Sequence, residues 1–211
     1  MRCSVEWMVM WMSNPFFSVI MPAHNAAAYI IKGLNSIRNQ SFKDYELFVV
    51  CDACTDHTAE IARQYTEKVY EVNFHNPGFT RNVGLDHATG DWVLFCDDDD
   101  WFLHEYVFAQ LAERLRDTSA DLLSFSWIWK RDGYIRNTPE NHRSQVCGHA
   151  WRRSFISTTR FDSGMFAEDA RFFQQLIDKG PVTEFWDMPM YYYNHPRRGS
   201  VCWNHDRGIV K

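Results

Sequence analysis

Four consecutive aspartates, Asp97 to Asp100, follow the apolar run Trp92–Cys96, and side-chain chemistry is more concentrated there than anywhere else in the chain. Carboxylates held so close repel one another and call for a cation. A donor set made of oxygen favours a hard divalent ion, and Mg²⁺ or Mn²⁺ usually keeps waters and shares the ion with substrate phosphates. The competing use is an acidic surface turn in which Asp100 caps the next helix. Two more polar clusters close apolar runs: Pro22-Ala23-His24-Asn25, and Cys51-Asp52-Ala53-Cys54-Thr55-Asp56. Asp52 suits a ligand N–H, for example a uracil imide, or a turn. His24 suits stacking on a base or a surface position. Arg81 suits a phosphate or base, or a pair with Asp86.

A carboxylate pair lies further along, at Glu168-Asp169. Asp169 precedes Phe172, Phe173 and Leu176 by three, four and seven residues, so it shares their inward face one turn earlier, while Glu168 aligns with Arg171 and Gln175. The positive end of a helix dipole keeps a first-turn carboxylate ionised, which suits a general base. Capping fits Glu168 better than Asp169. Cys51 and Cys54 have CxxC spacing with His57 behind them, but no second ligand pair sits at zinc-like spacing. Small buried residues at a strand end is the favoured reading over a metal or redox role. For Trp127, Trp129, Trp151 and Trp186, core packing is favoured over sugar stacking.

Specific elements must position these groups. Short apolar runs predict strands over 16–21, 47–51, 69–72, 92–96 and 122–129, the last followed by a turn at Arg131-Asp132-Gly133. Asn25 is a candidate N-cap for a helix with the stripe Tyr29, Ile30, Ile31, Leu34 and Ile37. Further helices are expected from Thr55 through Tyr65, over 79–87 behind Asn76-Pro77-Gly78, over 104–116 and over 168–179, before an extended stretch toward Tyr193. Strands alternating with helices predict an α/β fold: one domain, with a mainly parallel central sheet flanked by helices. Ligands in such sheets collect beyond the carboxyl ends of the strands, where all three polar clusters fall. Residues 1–15 read as an irregular leader, and 16–211 as the domain.

The chain has 211 residues, with 22 Lys and Arg against 27 Asp and Glu, for a net charge of −5. That balance argues against a nucleic-acid partner, which requires a basic surface. The cluster Trp7–Met12 is too short for a membrane span or a signal h-region. A cytoplasmic location with reduced thiols for the six cysteines follows as the expectation, together with no transmembrane segment and room for peripheral membrane contact.

Taken in order, these residues resemble the family 2 glycosyltransferases with the GT-A fold. Ser-Val-Ile-Met-Pro-Ala-His-Asn (18–25) resembles the family's opening strand and nucleotide-contacting turn. Cys-Asp-Ala-Cys-Thr-Asp (51–56) resembles its Asn-Asp-Gly-Ser-Thr-Asp loop, with Ala53 and Cys54 in place of the usual Gly and Ser. Thr-Arg-Asn-Val-Gly-Leu (80–85), Ala-Thr-Gly-Asp (88–91) and Phe-Cys-Asp-Asp-Asp-Asp-Trp (95–101) resemble the stretch ending in the DxD motif. Trp-Arg-Arg-Ser-Phe (151–155), Phe-Asp (161–162) and Ala-Glu-Asp (167–169) resemble the acceptor-side segment. Tyr191 to Pro196 with Gly199-Ser200 resemble the closing motif.

The resemblance implies a nucleotide-sugar half at about 16–101 and an acceptor half at about 102–203. It implies a metal-dependent, inverting transferase using Mn²⁺ or Mg²⁺, with a nucleotide-diphosphate sugar as donor and a glycan, lipid-linked or other hydroxyl as acceptor. In that scheme Pro22, His24, Asp52 and Arg81 hold the base, Asp97 and Asp98 hold ribose or metal waters, and Asp99, with Asp97, ligates the metal. Asp169 is the base, and His195 is either a further ligand or a polar hinge. A UDP-sugar is favoured because Asp52 can accept from an imide. Clustered aspartates also serve phosphohydrolases and nucleotidyltransferases, but no Gly-rich Walker loop or Asp-nucleophile motif is present. A non-catalytic nucleotide-sugar binder is the remaining alternative, which the intact Asp99 and Asp169 argue against.

Overall fold

Burial at all seven positions of β1 (Phe17–Ala23) reflects its place between two parallel neighbours, β2 (Tyr45–Asp52) and β4 (Trp92–Phe95). A strand buried on both faces needs a continuous apolar run, which these strands supply. The computed structural model describes residues 14–131, 133–135, 145–164 and 167–195. Most of the expected leader, the end of the closing motif (Pro196, Gly199 and Ser200), and Cys3 and Cys202 lie outside them. The other elements are α1 (Ile30–Arg38), α2 (Thr58–Ala62), β3 (Val69–Val72), α3 (Pro77–His87), β5 (Trp101–Phe102), α4 (Val107–Leu115), β6 (Leu122–Trp129), β7 (Gly133–Ile135), β8 (His149–Arg152), α5 (Arg153–Ile156), α6 (Glu168–Ile177) and β9 (Thr183–Tyr193).

The strands run β3-β2-β1-β4-β8-β6-β9-β5, with β7 added to β6. The first four form the parallel unit the alternation predicts. Beyond β4 the sheet departs from a mainly parallel one. β8 enters antiparallel between β4 and β6, β9 runs parallel to β6 through two register shifts, and β5 pairs antiparallel with β9. The sheet is therefore mixed. β5, β7 and β8 have two, three and four residues, too few for a period-2 pattern to register.

Polar anchors hold the strand ends in place. Glu46, buried in β2, accepts from Ser18 Oγ (2.6 Å), Thr89 N (2.7 Å) and Gly90 N (3.1 Å), fixing the turn that feeds β4. Burial alone would raise its pKa, but Lys68, Ser18 and Thr89 hold it below the usual range. Asn76 caps α3 by accepting from Phe79 N at 3.0 Å, with Pro77 in the first turn. Asn25 does not cap α1. That helix starts after Tyr29, and Asn25 takes a left-handed φ of 47° while its Oδ1 accepts from Thr55 N at 2.8 Å. Ile31, expected on the inward stripe, is 45% exposed.

Two backbone positions set the approach to the sheet edge. α1 passes so close to the aspartate turn that a Cβ on Gly33 would lie 2.7 Å from the Asp100 carbonyl oxygen. Ala53 holds φ +50° after β2, a region in which an L-residue costs about 1–2 kcal/mol. Ala53→Gly is expected to stabilise the protein by about 1 kcal/mol, and Gly33→Ala to destabilise it by about 1–3 kcal/mol. Urea melts of both variants beside the parent check the two opposite signs.

Candidate active site

The aspartate turn is tied from both sides. The ladder between β1 and β4 closes with Cys96 N donating to Ile20 O at 3.1 Å, and Asp97 leaves the sheet immediately afterwards. Asp97 N donates to the Tyr191 hydroxyl oxygen at 3.1 Å, and the same hydroxyl donates to Asp100 Oδ2 at 2.8 Å. Asn194 N donates to Asp100 Oδ1 at 2.8 Å. Asp100 is fully buried. Burial, with Asp97 and Asp99 close by, pushes its carboxyl well above the usual range. It is therefore neither a surface acid nor the cap of α4, whose N-terminus lies at Tyr106. Asp97, Asp98 and Asp99 remain partly exposed. Asp98 Oδ2 accepts from His24 N at 3.0 Å, which brings the ends of β1 and β4 to one edge, as the strand-end reading expects.

The ends of β1 and β2 meet through the His24 ring. Nδ1 lies 2.5 Å from the Asp52 carbonyl oxygen, which can only accept, so Nδ1 carries the proton. Pro22 is buried in β1, beyond the last residue of the β4 ladder, where its missing N–H costs no bond on that side. Asp52 is turned to a use that strand placement did not reveal. Its Oδ1 accepts from Phe74 N (2.7 Å) and His75 N (2.9 Å), and its Oδ2 from Asn76 N (2.8 Å) and Thr80 Oγ (3.0 Å). Burial would raise its pKa, yet the three amides and the hydroxyl hold it below the usual range. Four accepted bonds fill a carboxylate's ordinary capacity. The side chain thus builds the 74–76 loop, in contrast to the expected contact with a ligand imide. Beside it is a cavity of about 460 Å³, lined by Ala53, Cys54, Thr55, Asn73 and His75 among others.

Arg81 gathers the acids of the site. It is 4% exposed, and its guanidinium donates to Asp97 Oδ1 (2.8 Å) and Glu168 Oε1 (3.3 Å) and lies 3.2 Å from Asp169 Oδ1. Burial would lower its pKa, but Asp169, Asp97 and Glu168 keep it firmly charged. The alternative partner, Asp86, pairs instead with Arg160 at 2.7 Å. Glu168 is likewise not a detached capping acid, since it leans on Arg81 together with Asp169.

Asp169 stands on the face of Phe172, Phe173 and Leu176, all buried, as the spacing predicts. Its side chain is 16% exposed. Oδ2 accepts a 3.4 Å bond from Val146 N, and Oδ1 is buried without a hydrogen bond among the described residues. The expected dipole effect does not dominate. Burial pushes the pKa up to about 7, with Asp97 and Glu168 adding to it and Arg81 opposing. Withdrawal from water outweighs a screened dipole because it acts on the whole charge.

Among the described residues, Asp97, Asp100 and the buried thiol of Cys147 come within 4.8 Å of one another, a group that includes neither Asp99 nor His195. The His195 ring stacks on Tyr193 at 5.5 Å, and its carbonyl accepts from Trp129 Nε1 at 2.6 Å. Trp151 and Trp127 are core residues, and Trp186 is partly buried against the core. Sequence reasoning missed Cys147 altogether. For Tyr191 the resemblance of the closing motif was the available signal.

Comparison with known proteins places this geometry. The model of the glycosyl transferase family 2 matches residues 18–177. GlyA, a glycosyltransferase of Streptococcus pneumoniae, is 34% identical over 217 residues, covering 87% of this chain and 31% of GlyA. The poly(ribitol-phosphate) β-N-acetylglucosaminyltransferase TarS of Staphylococcus aureus is 41% identical over 115 residues, 51% of this chain and 20% of TarS. The chain thus spans less than a third of either relative. The crystal structure of S. aureus TarS 1-349 in complex with UDP-GlcNAc superposes with a TM-score of 0.78 at 26% identity, covering 87% of this chain and 59% of that one. The mannosyltransferase PcManGT of Pyrobaculum calidifontis shares the fold, at a TM-score of 0.72 and 20% identity over 93% of this chain and 61% of its own. The GT-A-like α/β architecture that the motifs implied is thereby present, and the chain belongs to glycosyl transferase family 2.

Proposed function

We propose that the chain is a metal-dependent, inverting glycosyltransferase that moves a sugar from a nucleotide-diphosphate sugar to an acceptor hydroxyl in glycan or polysaccharide assembly. The observation that carries this reading is the meeting of Asp169 with the aspartate turn on one guanidinium, that of Arg81. A carboxyl with a pKa of about 7 accepts and releases a proton near neutrality, the property a general base needs. Asp169 takes the proton of the acceptor hydroxyl while that oxygen attacks the anomeric carbon from the face opposite the departing diphosphate. Arg81 holds Asp169 and Asp97 in mutual register.

Asp97 and Asp99 would hold Mn²⁺ or Mg²⁺. Partly exposed carboxylate oxygens are hard donors suited to such ions, and Asp100, buried and hydrogen-bonded, steadies the turn that carries them. When bound, the ion acts as a Lewis acid that offsets negative charge growing on the leaving diphosphate. Pro22, His24 and Asp98 border the nucleoside, and Asp52 acts through the 74–76 loop it builds. A UDP-sugar is the favoured donor. Asp52 no longer supports that preference. The support is the superposition on TarS, whose structure is a complex with UDP-GlcNAc. No helix among the described residues is long and apolar enough to cross a membrane. The acceptor proposed is a glycan, lipid-linked or other hydroxyl.

Three outcomes are expected. Asp169→Asn should reduce transfer from UDP-GlcNAc or a related donor by roughly 10² to 10⁴ while leaving UDP binding nearly intact, and Glu168→Gln should cost less. Radiolabel transfer to a glycan or polyprenyl acceptor, with calorimetry of UDP, separates the two effects, and near-full transfer by Asp169→Asn would remove it as the base. The rate should rise with pH through about 7, because the base works only after losing its proton, and fall as acid restores it. A flat profile from pH 5.5 to 8 contradicts that assignment. Chelation should weaken UDP binding in Mn²⁺ by about tenfold or more, about 1.4 kcal/mol. Asp99→Ala should show the same weakness without chelator, and unchanged Mn²⁺-assisted affinity would take Asp99 out of the metal site. Hydrolysis of the donor at full rate without any acceptor would favour a hydrolase instead.

A further inference from the structure

The CxxC pair remains outside the proposed chemistry, and its geometry is specific. Cys51 is the penultimate residue of β2, paired in register with Ala23 on one side and Glu71 on the other, and is 1% exposed. The left-handed turn at Ala53 then folds the chain back. Cys54 comes to rest beside Cys51, and both residues line the one cavity. Cys54 Sγ accepts from Asn25 N at 3.4 Å and, as a thiol, donates to the Ala23 carbonyl oxygen at 3.5 Å. Both cysteines line the 460 Å³ cavity, but Cys54 is partly exposed whereas Cys51 is buried, so the Cys54 sulfur is the more accessible of the two.

We infer that Cys51 and Cys54 form a reactive dithiol at this cavity, in which Cys54 is the attacking sulfur and Cys51 the resolving one, and that low-molecular-weight disulfides convert the pair to a Cys51–Cys54 disulfide. The inference does not depend on what the cavity binds. The surroundings of the two sulfurs divide the roles. The neighbouring Cys51 thiol, the Asn25 amide and His24 favour the Cys54 thiolate against burial and Asp56, and its pKa is lowered to about 6. Cys51, beside the Cys54 sulfur, buried and facing Glu71 with Arg63 opposing, has its thiol pushed up, so it stays protonated until Cys54 has reacted. A low-pKa, accessible thiolate next to a protonated partner is the arrangement that favours exchange.

The reaction balances without an external reductant or metal. The Cys54 thiolate attacks one sulfur of the small disulfide, forming a mixed disulfide and expelling one small thiolate. Cys51 then passes its proton to solvent and attacks the Cys54 sulfur, forming the intramolecular bond and expelling the second thiolate. Two protein thiols are oxidised while one small disulfide is reduced to two thiols.

One tryptic peptide, residues 44–63, carries both sulfurs, which makes the test direct. The intact protein is incubated with oxidised glutathione, its remaining thiols are alkylated, and the digest is weighed. The expected result is a 44–63 peptide two hydrogens lighter than the dithiol and free of alkyl groups, with the buried Cys96 and Cys147 unreacted by the small disulfide. Cys51→Ala should instead accumulate a stable glutathione adduct on Cys54, while Cys54→Ser should leave Cys51 unmodified. In the untreated wild type, iodoacetamide should label Cys54 with a rate whose pH midpoint lies near 6. A peptide that keeps two alkylated thiols, a persistent wild-type adduct on Cys54, or a labelling midpoint near the ordinary thiol value of about 8.5 would each overturn the inference.

Discussion

A guanidinium removed from water must be paired, and Arg81 is paired three times over. Its partners come from the aspartate turn after β4 and from the first turn of α6, elements that share no backbone bond. Removing one side of a buried ion pair typically costs about 3–5 kcal/mol, because the partner is left charged and dry. The sheet half that carries Asp97 and the helix that carries Asp169 are therefore held in one relation by charge. The same cage leaves Asp169 short of compensation. One cation serves three carboxylates, so Asp169, pressed by burial and by the two neighbouring acids, keeps its proton to a higher pH. Structural constraint and proton affinity have one origin here.

The carboxyl edge of the sheet follows the same economy, in which acids near the site are used to hold backbone. Asp52 satisfies three consecutive amides of the 74–76 loop and a helix-entry hydroxyl, and Asp100 receives a tyrosine hydroxyl and an amide from the far end of the sheet. For Asp52, held ionised, such bonds are worth about 1.5–3 kcal/mol each when intact. These acids define the walls within which the partly exposed Asp97, Asp98 and Asp99 stand.

The regular part of this arrangement was legible in the sequence. The strands over 69–72 and 122–129, the polar clusters at the strand ends and the inward face of Asp169 all follow from periodicity and strand-end logic. What escaped depended on direction or on distance along the chain. Asp52 and Glu168 were placed in the right neighbourhood, but which atoms their carboxylates meet is decided by a loop and a helix far off in the sequence. Asn25 had the composition of a cap, yet a left-handed backbone sent its side chain to Thr55. β8 has four residues and owes its existence to a gap between β4 and β6. The rise in Asp169's pKa comes from burial and from Asp97, an acid far off in the sequence, which no local pattern records.

The Tyr191 hydroxyl joins residues more than ninety positions apart, accepting from Asp97 and donating to Asp100. During synthesis the aspartates emerge long before their tether, and β8, which flanks β4, also comes later. Contacts of such sequence separation carry a large loop-closure cost and form slowly. The motif is thus complete as a string of letters well before it is complete as an object. A nascent chain halted before residue 191 would expose Asp97 to Asp100 without the hydroxyl and amide that shape their turn, so competence for chemistry would come with the last strand of the sheet.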